Sequence, residues 1–414
     1  MTSKNLLIKN IGRLYKTDNN DRNMVKGSDM AFIPYLDDAF ILIKNGIIEN
    51  FGVMGNVPKP ENTTEIDAQG KMVLPAWCDS HTHIVYPQSR EIEYIDKIKG
   101  LSYEEIAKRG GGILNSARKM KETSEEQLFE DAMQRLETMK NFGTGAVEIK
   151  SGYGLATEQE LKMLRVVQRL KQQSDLTIKA TFLGAHAIPL EYKNDRKKYV
   201  DLIVNEMIPE IEREKLADFI DVFCDKGFFT VEETRRILEA GIKAGMKPKI
   251  HANELDYSGG IQVGVEYDAL SVDHLEYTGD AEIEALKNSN TMPTILPGAA
   301  FFLGLVYAPA RKMMEQGLPI ALATDYNPGS SPSGNMQLII SMGSILYRML
   351  PEEVINAVTL NGAYSMGIEK ELGSIAIGKK ANILIMKNIP SLAYIPYAFG
   401  ENKVEKVIID GKIC

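Results

Sequence analysis

The chain reads as an α/β protein: a TIM-like (β/α)8 barrel with a small β-sandwich domain assembled from both chain ends. Three observations predict this. Eight short apolar, β-rich runs alternate with helical patterns through the middle of the chain. The two ends differ from the middle and resemble each other, each offering short strands closed by an Asn-Gly or Asp-Gly turn. The length of 414 residues exceeds the roughly 250–300 at which a single core stops growing, so one large domain with a smaller one added is expected.

At the start, Phe40-Ile-Leu-Ile-Lys, the pair Asn45-Gly46 and Ile47-Ile-Glu-Asn-Phe form two strand patterns about a turn whose central residues tolerate positive φ. At the end, residues 404–409, Asp410-Gly411 and Lys412-Ile413 repeat the arrangement, and 381–386 adds another apolar strand. These ends set the expected domains: 1–70 and 371–414 for the two parts of the composite β-domain, and 71–370 for the barrel. Its strands are predicted at 72–78, 146–149, 178–183, 219–224, 248–250, 269–272, 292–296 and 319–323. Helical patterns fall between most of them, at 125–140, 158–172, 231–244, 280–288 and 311–315. Eight strands over roughly 300 residues match a barrel, for which about 250 is typical. A doubly wound open sheet would also alternate, but no Gly-rich phosphate loop follows the first strand, and Gly110-Gly-Gly112 lacks the strand–helix frame that such a loop needs. Residues 291–310 carry no charge, yet three prolines and two glycines exclude a regular membrane helix, and a buried strand followed by an apolar loop is expected there.

Composition narrows the function classes. The chain is 44% hydrophobic and 25% charged with a net charge of −8, which fits a globular protein and argues against nucleic acid or an anionic membrane as the main partner. A small-molecule substrate is expected instead. Cys78, Cys224 and Cys414 are too few and too scattered for a disulfide framework and suit a reducing compartment. The opening residues MTSKNLLIKN contain no apolar run of signal-peptide length, so a cytoplasmic location is expected.

The histidines carry the functional signal. There are five: His81 and His83 follow the first predicted strand, His186 the third, His251 the fifth and His274 the sixth. Asp325 ends the eighth. In a barrel all six positions fall on the C-terminal face, where active sites are built. A lone histidine is more often a hydrogen-bonded core residue, but core packing does not place them at successive strand ends. Residues i and i+2 of an extended segment point the same way, so His81 and His83 can reach one ion, and His251 with Asp325 completes a nitrogen/oxygen set suited to zinc or ferrous iron.

The His-Thr-His pair, the later strand-end histidines, Asp325 and the closing segment Thr359-Leu-Asn-Gly-Ala…Gly373-Ser-Ile-Ala-Ile-Gly-Lys-Lys-Ala-Asn together resemble the amidohydrolase superfamily. Seven segments are similar to the branch that opens the imidazolone ring in histidine degradation: Ser89-Arg-Glu, Gly110-Gly-Gly-Ile-Leu, Glu148-Ile-Lys-Ser-Gly-Tyr-Gly-Leu155, Phe182-Leu-Gly-Ala-His-Ala-Ile-Pro189, Lys249-Ile-His-Ala-Asn-Glu254, Ala323-Thr-Asp-Tyr-Asn-Pro-Gly-Ser-Ser331 and Tyr394-Ile-Pro-Tyr397. The resemblance covers nearly the whole chain. It implies a metallo-hydrolase that cleaves the cyclic amide C–N bond of 4-imidazolone-5-propanoate to give N-formimino-L-glutamate, with one divalent metal and a homodimeric assembly. The alternative is a related mononuclear deaminase or amidase acting on another carboxylate-bearing nitrogen heterocycle.

Residue by residue, the resemblance places Arg90 on the substrate carboxylate, with Tyr153, His186, Asn327, Gly329 and Ser330 around the substrate and Tyr103 at the mouth. Glu254, three residues after His251, matches the carboxyl that grips a ring N–H and moves protons. His274 is expected beside the nucleophile but outside the ligand set, and Asp325 serves as both ligand and proton acceptor. Tyr86-Pro-Gln and Tyr326 depart from the family pattern. Lys150 ends predicted strand two and Lys226 lies past strand four, so neither is expected to bridge a second metal, and both are expected in surface or loop roles.

Overall fold

The computed structural model describes residues 5–18, 22–58, 62–101, 105 and 111–414. The small domain holds β1 (Asn5–Tyr15), β2 (Tyr35–Lys44), β3 (Ile47–Val53), β4 (Thr63–Asp67) and β5 (Met72–Pro75) from the start of the chain. The barrel follows with β6 (Trp77–Asp79), β7 (Thr144–Lys150), β8 (Thr177–Ala185), β9 (Phe219–Cys224), β10 (Lys247–Ala252), β11 (Ser271–His274), β12 (Met292–Ile295) and β13 (Ala321–Leu322). From the end of the chain come β14 (Ile383–Met386), β15 (Val404–Ile409) and β16 (Lys412–Ile413).

The barrel strands pair in parallel in chain order from β6 to β13. Parallel neighbours require crossovers, and helices such as Glu125–Asn141, Thr157–Gln173 and Val231–Lys243 supply them. The seam between first and last strands closes just beyond their ends. Asp325 N–H donates to the His81 carbonyl at 3.0 Å and His83 N–H to that of Tyr326 at 2.9 Å. Asp79 spans the same seam, accepting from the Thr324 N–H at 3.0 Å and its hydroxyl at 2.6 Å. Closing the barrel therefore brings the His-Thr-His segment against Asp325.

The small domain's eight strands form one connected sheet, with β1 paired to β2 on one side and to both β4 and β5 on the other. Residues from both chain ends, including Ile8, Ile41, Ile383 and Ile408, share its core. Both hairpin turns form as the sequence predicts: Asn45 and Gly46 have φ of 52° and 82°, Asp410 and Gly411 of 46° and 71°, the left-handed values of a type I′ turn.

Two expectations change, and one crossover left unread is resolved. The run at 72–78 divides at Ala76: β5 joins the terminal sheet beside β1 and β14, and only β6 enters the barrel. A continuous apolar run does not say which of two sheets takes which half. The apolar segment after β12 is helical over Pro297–Leu303, with proline in the first turn and Gly304 at φ +71° ending it, so the two residues read as breakers act as boundaries. The crossover from β8 to β9 is helical over Arg196–Leu202 and Ile208–Glu214 with a π turn between.

Lys16, 2% exposed, lies where the small domain meets the barrel. Its ammonium donates to Asn356 Oδ1, while the Asn356 amide donates to the carbonyls of Met30 and Phe32. Burial pushes this ammonium down to about 7 from a free value of 10.5. Between those values the unfolded chain binds a proton that the folded chain does not, so stability rises with pH across that window. From pH 7 to 9 the gain is about 2 kcal/mol. Between these pH values the unfolding free energy of the protein should rise by about 2 kcal/mol relative to that of its Lys16→Met variant; equal pH dependence of the two would mean that Lys16 stays charged in place.

Candidate metal centre and active site

Beneath the C-terminal face lies a ring of charge with no access to water. Period-two alternation turns Glu148 and Lys150 of β7, and Lys249 of β10, into the barrel, where Asp221 of β9 and Asp273 of β11 meet them. Lys150 Nζ lies 2.7 Å from Glu148 Oε1, 2.7 Å from Asp221 Oδ2 and 3.6 Å from Asp273 Oδ2. Lys249 Nζ donates to Glu148 Oε2 and to the carbonyls of Ser80 and Ser365 at 3.1 Å. Burial opposes the charge on Lys150, but Asp221, Glu148 and Asp273 outweigh it and hold the ammonium above its usual range.

The imidazoles stand on this ring. His81 Nδ1 donates to Asp273 Oδ2 at 2.6 Å, leaving the Nε2 lone pair directed away from the carboxylate. His251 Nδ1 lies 3.0 Å from Asp221 Oδ2. His83 Nε2 then stands 3.3 Å from His81 Nε2 and 3.4 Å from His251 Nε2. Asp325 Oδ1 lies 3.5 Å from His81 Nε2 and 3.6 Å from His83 Nε2. A tetrahedral shell with bonds of about 2.0–2.1 Å has edges of about 3.3–3.4 Å, and each of these four separations lies at or just above that length. Burial first, then neighbouring cations and imidazoles, lowers His81 and His83 well below the usual histidine range, so both are neutral, the form that binds a metal. Burial pushes Asp325 up to about 7; a cation among these donors returns it to the ionised form. The residues therefore fit one divalent ion. His274 also approaches, its ligand atom lying within 4.8 Å of those of His81 and His251.

The surrounding loops are held by buried carboxylates. Glu160 accepts from the N–H groups of Gly152, Gly154 and Leu155 at 2.7–3.0 Å, fixing the loop that carries Tyr153. His186 Nδ1 donates to the Gly152 carbonyl at 3.0 Å, and its ring stacks on His83 at 5.3 Å. Asp225 accepts from the Leu255 N–H at 2.8 Å and so anchors the segment bearing Glu254. Glu254 Oε2 lies 3.8 Å from His274 Nε2. Burial, then the Asp325 and Asp225 carboxylates, push Glu254 up to about 8. His274, Leu275 and Asp325 adopt φ of 86°, 75° and 51°, uncommon backbone for such residues and concentrated at this face.

Arg90 donates from Nε to Glu93 Oε2 at 2.7 Å, and Glu93 also accepts from the Gly112 N–H at 3.0 Å. The guanidinium crosses Gly329 so closely that a Cβ there would lie 2.2 Å from Nη1. Around Asp325, the Asn327 side chain accepts from the N–H groups of Gly329 and Ser330 at 2.7 and 2.8 Å, and Ser330 Oγ lies 3.4 Å from Asp325 Oδ2. The two departures from the family pattern face each other: the rings of Tyr86 and Tyr326 are 6.5 Å apart, with the Arg135 guanidinium over Tyr86.

The structure thus gathers His81, His83, His251, His274, Asp325, Glu254, His186 and Tyr153 at one face, with Arg90 reaching it over Gly329. Lys226 is exposed and paired with Asp256, as a loop residue should be. Lys150 is not at the surface but at the barrel's centre, because its strand extends through that position and its side chain turns inward. Tyr103 and Gly110 lie outside the described residues. Asp221, Asp273, Lys249, Glu160 and Glu93 were missed. A charged residue two places before a site residue on a short apolar strand, as Lys249 stands before His251, was the signal available.

The sequence model described as the amidohydrolase family matches residues 72–414. Imidazolonepropionase of Flavobacterium johnsoniae is 55% identical over 407 residues, covering 98% of this chain and 99% of that protein. The protein of the same name from Christiangramia forsetii is 53% identical over 408 residues, covering 99% of each chain. Among solved structures, an adenosine deaminase from Xanthomonas campestris with bound zinc is 16% identical with a TM-score of 0.69, covering 99% of this chain and 92% of its own, a likeness of fold alone.

Proposed function

Because the chain belongs to the amidohydrolase family and, within it, to the imidazolonepropionases, we propose that it hydrolyses the cyclic amide C–N bond of 4-imidazolone-5-propanoate to give N-formimino-L-glutamate in histidine catabolism. The observation that carries the reading is the donor set of His81, His83, His251 and Asp325, spaced for one ion beside a buried Glu254–His274 pair. One zinc or iron ion per chain fits these donors. Cytoplasmic location agrees with three free cysteines, two of them buried, and assembly as a homodimer completes the reading.

A divalent ion held by His81, His83, His251 and Asp325 would supply hydroxide at neutral pH by lowering the pKa of water to about 7. This chain's residues do the rest. Asp325 takes the proton of the attacking water, and the 3.4 Å approach of Ser330 Oγ helps to hold its carboxylate. His274 Nε2 polarises the ring carbonyl as negative charge develops on its oxygen. Glu254, carrying a proton at neutral pH, grips the ring and delivers the proton to the nitrogen released as the C–N bond breaks. Arg90, aimed by Glu93, pairs with the propanoate. Tyr153 and His186 flank His83 and line the same space.

Ring opening of imidazolone propanoate by the purified protein tests the reading, and Arg90→Met tests its substrate arm. Loss of a charged hydrogen bond of about 1.5–3 kcal/mol should raise KM by about 10- to 150-fold with kcat less affected. An unchanged KM would assign the carboxylate to another residue. Glu254→Gln and His274→Asn should each lower kcat by about 10²–10⁴ while the metal content stays at that of the parent. Loss of metal from His274→Asn would make His274 a ligand.

A further inference from the structure

We infer that Asp273 is the carboxylate arm behind His81, fixing its tautomer and strengthening its hold on the metal, with Lys150 Nζ 3.6 Å from the same carboxylate oxygen. The inference rests on the metal centre proposed above. Both oxygens of Asp273 are committed: Oδ2 accepts from His81 Nδ1 at 2.6 Å and Oδ1 from Ser271 Oγ at 2.5 Å. The residue is fully buried. Its position on β11, with Cα paired to that of His251 across the ladder, places it directly under the donors.

The charge of the ring gives the arm a purpose beyond packing. Glu148, Asp221 and Asp273 contribute three carboxylates, and Lys150 and Lys249 two ammonium groups, all with side chains 0% exposed. Within this ring the balance is one negative charge in excess. Uncompensated buried charge is costly, and a scaffold needing only stability would not carry it. A cation seated on His81 and His251 offsets the excess through the two imidazoles that Asp273 and Asp221 touch. Carboxylates behind metal-bound histidines raise ligand basicity, and their loss typically lowers metal affinity by about 10- to 100-fold.

Asp273→Asn separates the two roles. The amide oxygen can still accept from His81 Nδ1 and the amide NH2 can donate to Ser271 Oγ, so the hydrogen bonds and volume persist while the charge goes. Metal affinity, read by competition with a chelator, should fall about 10- to 100-fold, whereas the metal-free variant should melt at or above the temperature of the metal-free parent. Asp221→Asn is the contrast. Asp221 Oδ2 faces Lys150 Nζ and His251 Nδ1, and Oδ1 accepts the His251 N–H. An amide NH2 there must meet donors, so metal affinity and metal-free melting temperature should both fall. A parent protein that binds no metal would sink the metal centre itself. Parent-like affinity in Asp273→Asn, or a loss of affinity accompanied by a lower metal-free melting temperature, would overturn the role assigned to Asp273.

Discussion

Everything at the C-terminal face depends on five charged side chains sealed beneath it. Glu148, Lys150, Asp221, Lys249 and Asp273 exclude water completely, and charges so placed persist only when paired at close range. Lys150 is the hub, reaching Glu148 and Asp221 at 2.7 Å and standing 3.6 Å from Asp273. Because two of these carboxylates meet the Nδ1 atoms of His81 and His251, the ring sets which nitrogen of each imidazole faces the centre. The donor spacing above it is a consequence of pairing below it.

Barrel closure supplies the remaining donors. His81 and His83 leave the first strand and Asp325 the last, and their backbones meet only because the seam closes through Asp79, Thr324 and the carbonyls of His81 and Tyr326. The backbone is left-handed at Asp325, His274 and Leu275, an uncommon conformation for such residues that is concentrated at this face. The small domain stays apart from the chemistry, yet its buried Lys16 and the Asn356 amide tie it to the barrel.

Much of this was legible in the sequence, and for physical reasons. Strand–helix alternation gave the barrel. Period two put His81 and His83 on one side, and strand-end placement gathered His186, His251, His274 and Asp325. Asn45-Gly46 and Asp410-Gly411 announced their turns because few residues tolerate positive φ. What escaped detection depends on depth and on distant partners. Lys150 reads as a loop lysine until its neighbours are known to be Asp221, from a strand 71 positions away, and Glu148. Asp273 is hidden by the histidine beside it. The Arg90–Glu93 pair is an i,i+3 contact that becomes readable only once the helix Glu91–Ile98 is placed. The apolar run at 72–78 carried no mark of the point where one sheet gives way to another.

A single ion is proposed to sit where the strand-one histidines, His251 and Asp325 converge, above a ring in which Lys150 remains a plain ammonium. Anomalous diffraction from crystals of the metal-loaded protein, collected at the metal's absorption edge, addresses this directly. One peak per chain is expected, about 2.0–2.2 Å from His81, His83 and His251 Nε2 and from Asp325, with unmodified density at Lys150. A second peak, or density joining Lys150 to a metal, would contradict it.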